Sequence, residues 1–320
     1  MSKIFRDAHR SVTLSLASSA VLIASVLLVR AAPLGQAPAA PAVQVIRSRR
    51  PLADAAKLLE EIYAKPVTYE EAPLQWRGTL DVFGDDPQRW GALMPMERSF
   101  SFPAEARPDK TPVLDAALVG RVLDVYHQQN DGPRFQVVST KYGLHIVPTK
   151  VHDSSGTLVP VTSQLDAIIT VPVAKRTPDY HLVALCDAVT RATGLSLGPA
   201  TTSGIIMRPW FDWAFGPREG ASPRVSNTLG EEDVEAYSFE WGVNGIAARD
   251  ALIGLLDRSA TTMTWRLFCQ SSARLQDRLC VLNIGAVVVS VTGPDGQPMK
   301  REVIYDRCVH CPPLRPSRRQ

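Results

Sequence analysis

Apolar residues recur at helical spacing in several stretches of the chain, each followed by a short β-branched or aromatic run. From Pro51, the residues Leu52, Ala55, Ala56, Leu59, Ile62 and Tyr63 line one helical face. Pro51 suits the first turn of that helix. Lys65-Pro66 ends it, because the residue before a proline avoids the helical region, and Val67-Thr68-Tyr69 then predicts a strand. Upstream, Val43-Gln44-Val45-Ile46 predicts another, so the unit is β-α-β.

The same rhythm returns 196 positions later. That shift pairs Asp54 with Asp250, Ala55 with Ala251, Leu59 with Leu255, Ala64 with Ala260 and Thr68 with Thr264, and it sets Tyr69 on Trp265 and Val45 on Trp241. A looser third copy runs from Leu165 to Leu197: a DAIITVPV strand, a face of Leu182, Leu185, Val189 and Ala192, and Gly194 as the stop before LSL. Recurrence of the strand-helix-strand order predicts internal repetition. Between the copies, Val113 to Gln129 predicts a helix with Leu114, Leu118, Val122 and Val125 on one face, ended by the turn Asn130-Asp131-Gly132-Pro133. FQVVS and LHIVPT around Lys141-Tyr142-Gly143 predict a hairpin. Residues 73–112 and 199–236, rich in Pro, Gly and charge, read as long loops or insertions. A last hairpin, VVVSVT and REVIY around Gly293-Pro294-Asp295-Gly296, precedes a disordered basic tail, PPLRPSRRQ. The expected class is α+β, with repeated β-α-β units whose helices pack on mixed sheets.

The N-terminus stands apart from this pattern. Lys3, Arg6 and Arg10 precede an uncharged run from Ser11 to Val29, followed by Arg30 and the Ala/Pro stretch AAPLGQAPAAPA. A basic flank, an apolar run and a flexible spacer in that order predict an export signal. The run is near bilayer-spanning length, whereas Ala37-Pro38-Ala39 and Ala40-Pro41-Ala42 resemble cleavage sites, so a cleaved peptide and a retained single-span membrane anchor both stand. No lipobox cysteine follows, which argues against a lipoprotein. The rest of the chain is expected to fold outside the cytoplasm, in the periplasm or secreted. With 35 Lys+Arg against 32 Asp+Glu among 320 residues, the charge is +3 and interspersed, so nucleic acid is excluded as an expected partner.

Five cysteines are few for this length. Cys269 and Cys280 flank SSARLQDRL and could face each other across paired strands as a disulfide. Cys308 and Cys311 form a C-x-x-C followed at once by Pro312 and Pro313, without a strand-helix context; a structural disulfide is the expectation there, with a redox role or metal as the alternatives. Cys186 reads as a small buried hydrophobe.

Known catalytic signatures are missing: the sequence contains no G-x-S-x-G, P-loop, post-strand G-x-G-x-x-G or H-E-x-x-H. His145 and His152, with Asp153 and Asp166 nearby, could supply metal ligands, but His145 alternates with Leu144 and Ile146 on a predicted strand and reads as an ordinary histidine. Glu60-Glu61, Glu70-Glu71 and Glu231-Glu232-Asp233 read as solvated faces rather than paired catalytic acids. No cofactor or metal site is expected. The stretch Arg208, Trp210, Phe211, Trp213, Phe215 and Arg218 has two readings: a core plug, or an exposed loop that binds a partner through its aromatic and Arg anchors.

RPLADAAKLLEEIYAKPVTYEE resembles the opening half of the short N-terminal domain of secretins and TonB-dependent receptors, where an apolar strand, a PLxxAL-type helix and a short strand recur. FEWGVNGIAARDALIGLLDRSATTMTWRLF with LCVLNIG resembles its second half. The resemblance implies a periplasmic β-α-β pair that makes partner contacts or relays a signal and catalyses nothing. The chain departs from it by a long insert and by having no pore or barrel afterwards. The implied organisation is a signal or anchor at 1–30, a linker at 31–42, half-domains at 43–72 and 237–290, an insert at 73–236, and a hairpin and tail at 291–320. The expected function is a non-catalytic interaction or assembly module of the bacterial cell envelope with an unknown protein partner. The alternative is a secreted enzyme, with thiol-disulfide chemistry at Cys308 and Cys311.

Overall fold

The computed structural model describes residues 42–72, 80–82, 92–104, 114–200, 238–259, 261–269, 271–272, 279–293 and 296–303. The expected signal or anchor, most of the linker, the aromatic stretch 208–218, Cys308, Cys311 and the basic tail lie outside them. Among the described residues no helix is long and apolar enough to cross a membrane.

The chain is α+β, with a mixed sheet and four helices among the described residues. Its first stretch runs β1 (Ala42–Ser48), α1 (Pro51–Tyr63), β2 (Val67–Glu70), β3 (Leu80–Val82), β4 (Ala92–Pro95) and β5 (Arg98–Ala104). Then follow α2 (Ala116–Gln129), β6 (Arg134–Ser139), β7 (Leu144–His152) and β8 (Leu158–Pro160). After a 3-10 turn at Gln164–Asp166 come β9 (Ile168–Arg176), α3 (Pro178–Thr193) and β10 (Ser196–Pro199). The last part holds β11 (Phe239–Ala247), α4 (Ala248–Leu256), β12 (Met263–Cys269), β13 (Ser271–Ser272), β14 (Leu279–Ala286), β15 (Val288–Thr292) and β16 (Pro298–Glu302).

Local chemistry explains the element ends. Pro51 and Pro178 each occupy a first helical turn. Asp115 caps α2 by accepting from the Leu118 amide at 2.7 Å, and Gly194 ends α3 in the left-handed region. Ala64 ends α1 in the same conformation, at φ 54°. The 73–112 stretch expected as loop holds three strands. In β5 the alternation of buried Phe100 and Phe102 with exposed or half-buried Ser99 and Ser101 drives pairing with β1.

The pairings show a duplication. In the first module β1 and β5 form an antiparallel ribbon, and β2-β7-β6 form three strands of the central sheet, β2 parallel and β6 antiparallel to β7. In the second, β9 and β11 form the ribbon, and β10-β14-β12 repeat the order, β10 parallel and β12 antiparallel to β14. Helices α1 and α2 pack between ribbon and sheet in one module, α3 and α4 in the other, and each module closes its own apolar core. The sheet is continuous, β10-β14-β12-β2-β7-β6, because β12 lies parallel to β2 with Arg266 opposite Tyr69 and Leu267 opposite Glu70.

The segments 43–72 and 237–290 therefore meet, but as parts of two modules rather than as halves of one. By position α1 corresponds to α3, and α2 to α4, so the shift of 196 aligns non-equivalent helices. Their likeness has a physical source: each must bury one face of similar width between a ribbon and a sheet, which imposes the same spacing.

Candidate functional site: the buried ionic seam between the modules

Polar side chains concentrate where β12 meets β2. Strand β2 is buried along its whole length, and Glu70 at its end is 0% exposed. A buried carboxylate is tolerated only when paired and hydrogen-bonded. Arg249, from the first turn of α4, supplies a fork: Nε donates to Glu70 Oε1 at 2.8 Å and Nη2 to Oε2 at 2.7 Å. The Ser163 hydroxyl donates to Oε2, and the Trp265 indole N–H to Oε1 at 3.3 Å. The third guanidinium nitrogen, Nη1, reaches Asp166 at 2.5 Å; Asp166 in turn closes a capping box on Ser163. Burial opposes the charge on Arg249, but the hydrogen bonds and fields of Glu70 and Asp166 outweigh it and raise its pKa.

Two further carboxylates of the first module look across the seam. Glu60 of α1 accepts from the Val67 amide at 2.8 Å, from the Thr264 hydroxyl, and from Arg266 Nη2 at 2.7 Å. Glu71 accepts from Arg50 Nε at 3.1 Å and from the Cys269 amide at 2.8 Å. Desolvation raises the pKa of Glu71, and Arg50 and the amide only partly offset it. The expectation that Glu60, Glu70 and Glu71 form solvated faces does not hold: their partners Arg266, Arg249 and the Cys269 amide come from about 200 residues away and make burial affordable. Glu61, partly exposed, accepts from Ser290 instead. Glu231, Glu232 and Asp233 lie outside the described residues.

His145 lies fully buried beside this seam. Its Nδ1 meets Thr68 Oγ1 at 2.9 Å, its Nε2 meets Thr140 Oγ1 at 2.8 Å, and its ring stacks on Trp265 at 5.0 Å. Burial, helped by the charge of Arg249, lowers its pKa to about 3, so the ring is neutral and structural. Tyr142 completes the stack and donates to the Met263 carbonyl at 2.6 Å. His152 faces Asp131 at 3.8 Å, far along β7 from His145, and Asp153 is occupied within its own turn by Ser155 and Thr157. Among the described residues no group of three or more His, Cys, Asp or Glu could hold a metal ion.

The structure joins Cys269 to Cys280 in a disulfide between directly opposed residues of β12 and β14, both 1% exposed. The Gln164 amide donates to Cys280 Sγ at 2.9 Å. Cys186 is buried, and desolvation with the neighbouring Asp187 pushes its thiol up to about 12, which leaves no reactive thiolate.

Chemically, the seam is a lock. Glu60 and Glu70 are neutralised by forked arginines and covered by further donors, so neither carboxylate is left as an acid or base for a substrate. Sequence reading missed Arg249, Arg266 and Ser163; the signal available was an arginine at the start of a Leu-rich helix, AARDALIGLL, where a buried face would otherwise be apolar. In comparisons with known proteins the sequence matches no family model, no curated protein and no solved structure.

Proposed function

We propose that the protein is an exported, non-catalytic interaction module of the cell envelope, placed outside the cytoplasm by residues 1–30 as signal or anchor and related to the short N-terminal domain of secretins and TonB-dependent receptors. The observation that carries this reading is the pair of ribbons. Among the described residues each ribbon has two strands and therefore two edges, and each displays apolar side chains: Val43 at 64% and Val45 at 72% exposure on β1, Ile168 at 64% and Val173 at 71% on β9. Such edges are templates for an added strand from a partner chain, with the side chains supplying selectivity. The duplication presents two of them.

Three further points support the reading. The two stretches that carry the resemblance each fold as strand-helix-strand, β1-α1-β2 in one module and β11-α4-β12 in the other. The disulfide suits an oxidising compartment. The buried charges are consumed in holding the modules together. The test is cross-linked capture from envelope fractions, comparing the natural chain with the double substitution Val45→Lys and Val173→Lys. Both side chains are exposed, so melting should not move, and capture should fall at least tenfold. Unchanged capture by the substituted protein removes the ribbons as the binding surface.

A further inference from the structure

The two ribbons do not offer equal edges. On β5 the outward backbone groups are taken by the end of α2: the Gln129 side chain accepts from the Ser101 amide at 3.1 Å and donates to its carbonyl at 3.3 Å, and Asn130 donates to the Ser99 carbonyl at 3.3 Å. The second ribbon is bulged twice, so a strand added there meets an interrupted ladder. Pro172 of β9 has no N–H, and its carbonyl accepts from Arg176 at 3.2 Å; on β11 the Phe239 carbonyl accepts from His181 Nε2 at 2.8 Å. Prolines, bulges and covering side chains are the means by which edge strands are kept from other chains.

Strand β1 carries none of them from Val43 to Val45. In the ladder Ser101 stands opposite Val45 and Pro103 opposite Val43, and opposed residues of an antiparallel pair turn their backbone groups the same way, both toward each other or both away. Because the Ser101 groups point away from β1, those of Val45, and of Val43 two residues earlier, point away from β5. Among the described residues nothing bonds to them. Both valine side chains lie on the outer face of the ribbon, at 64% and 72% exposure, and the residue between them is the uncharged Gln44.

We infer that β1 pairs with β1 of a second copy of this chain. An edge left open in every copy meets the same edge in every other, and a two-fold axis makes such a contact self-complementary. Centred on Gln44, an antiparallel pairing sets Val43 of each copy opposite Val45 of the other. The outward N–H and C=O groups then meet, and the exposed valines of both copies close against one another on one face. The ribbons join as one sheet, β5-β1-β1-β5. Charge chooses the direction: antiparallel pairing holds the two Arg47 at opposite ends, whereas parallel pairing would bring Arg47, Arg49 and Arg50 of one copy beside those of the other. The inference rests on the strand-addition reading above and assigns the occupant of the first ribbon.

The test is sedimentation of the purified full chain in detergent over a concentration series. Self-association is expected, weakened about tenfold or more by Val45→Lys and unchanged by Val173→Lys on the other ribbon. Both side chains are exposed, so each variant should keep the natural melt. Cysteine substitution reads the register. Mild oxidation should join Gln44→Cys copies through residue 44, which the two-fold axis sets opposite itself at roughly 4.5 Å between Cα atoms, and should not join Arg47→Cys copies, whose substituted residues lie about 20 Å apart. A chain that stays monomeric to about 0.1 mM, or equal association in the two Lys variants, overturns the second copy as occupant. If such a monomeric chain still loses its envelope partners on Val45→Lys, strand addition stands with a strand from a different protein. Self-association without capture of any other protein keeps the paired β1 strands and counts against a separate partner instead.

Discussion

Replacing Arg249 by methionine tests the seam most directly. Glu70 is 0% exposed, and Arg249 is the one cation bonded to it among the described residues; after Arg249→Met it keeps only the Ser163 hydroxyl and the Trp265 N–H. Removing one member of a buried ion pair costs about 3–5 kcal/mol, because the remaining charge is stranded in a poor solvent for it. Two surviving donors place the expected loss near the lower end, about 3 kcal/mol. For a folded unit of this size each kcal/mol moves the melting temperature by roughly 3 °C, so the drop should be about 10 °C. Asp166 also loses its partner, but its side chain is 41% exposed and water replaces the contact at little cost. The double substitution Glu70→Met with Arg249→Met removes both charges and should recover most of the loss. Urea denaturation of the three proteins with the disulfide intact measures all of this. A single substitution within 1 kcal/mol of the natural protein, or a double one as unstable as the single, refutes a stranded charge as the cause.

His145 keeps its proton off down to about pH 3 in the folded chain, against about 6.5 when unfolded. The unfolded chain therefore binds the proton first, and this contribution to stability is complete above about pH 6.5 and lost as pH falls towards 3; denaturation midpoints at pH 7 and pH 5 should differ less for His145→Gln. Gly143→Ala would place a methyl carbon 2.6 Å from the Pro66 carbonyl oxygen, where Leu144 donates to that same oxygen, and should cost about 1–3 kcal/mol by thermal melting. Reducing the Cys269–Cys280 bond, or Cys269→Ala with Cys280→Ala, should cost about 3 kcal/mol, read as the difference between melts with and without reductant. A reductant-insensitive melt would count against the disulfide as a brace.

Much of the helical content was legible locally. The faces of α1, α3 and α4, the proline start of α1 and the glycine stop of α3 follow from spacing and backbone preference alone, and so does the β6-β7 hairpin. Strand β5 was missed although Phe100 and Phe102 alternate, because the Pro and charge around them read as loop. The ionic seam was missed because adjacent glutamates on a helix or loop normally face water. Nothing near Glu70 in sequence indicates that Arg249 will lie 2.7 Å from it.

What the amino-acid order determined by itself is therefore the helices and the strands that directly flank them, since these depend on contacts a few residues apart. Only the tertiary structure decided that two modules share one sheet, with α1 matched to α3 rather than α4. A buried parallel strand such as VTYE is apolar or paired on both faces and offers no alternation from which register or neighbour can be read. Its place between β12 and β7 is settled by partners 75 to 200 residues away, where side-chain periodicity carries no information and only mutual burial and charge pairing can choose.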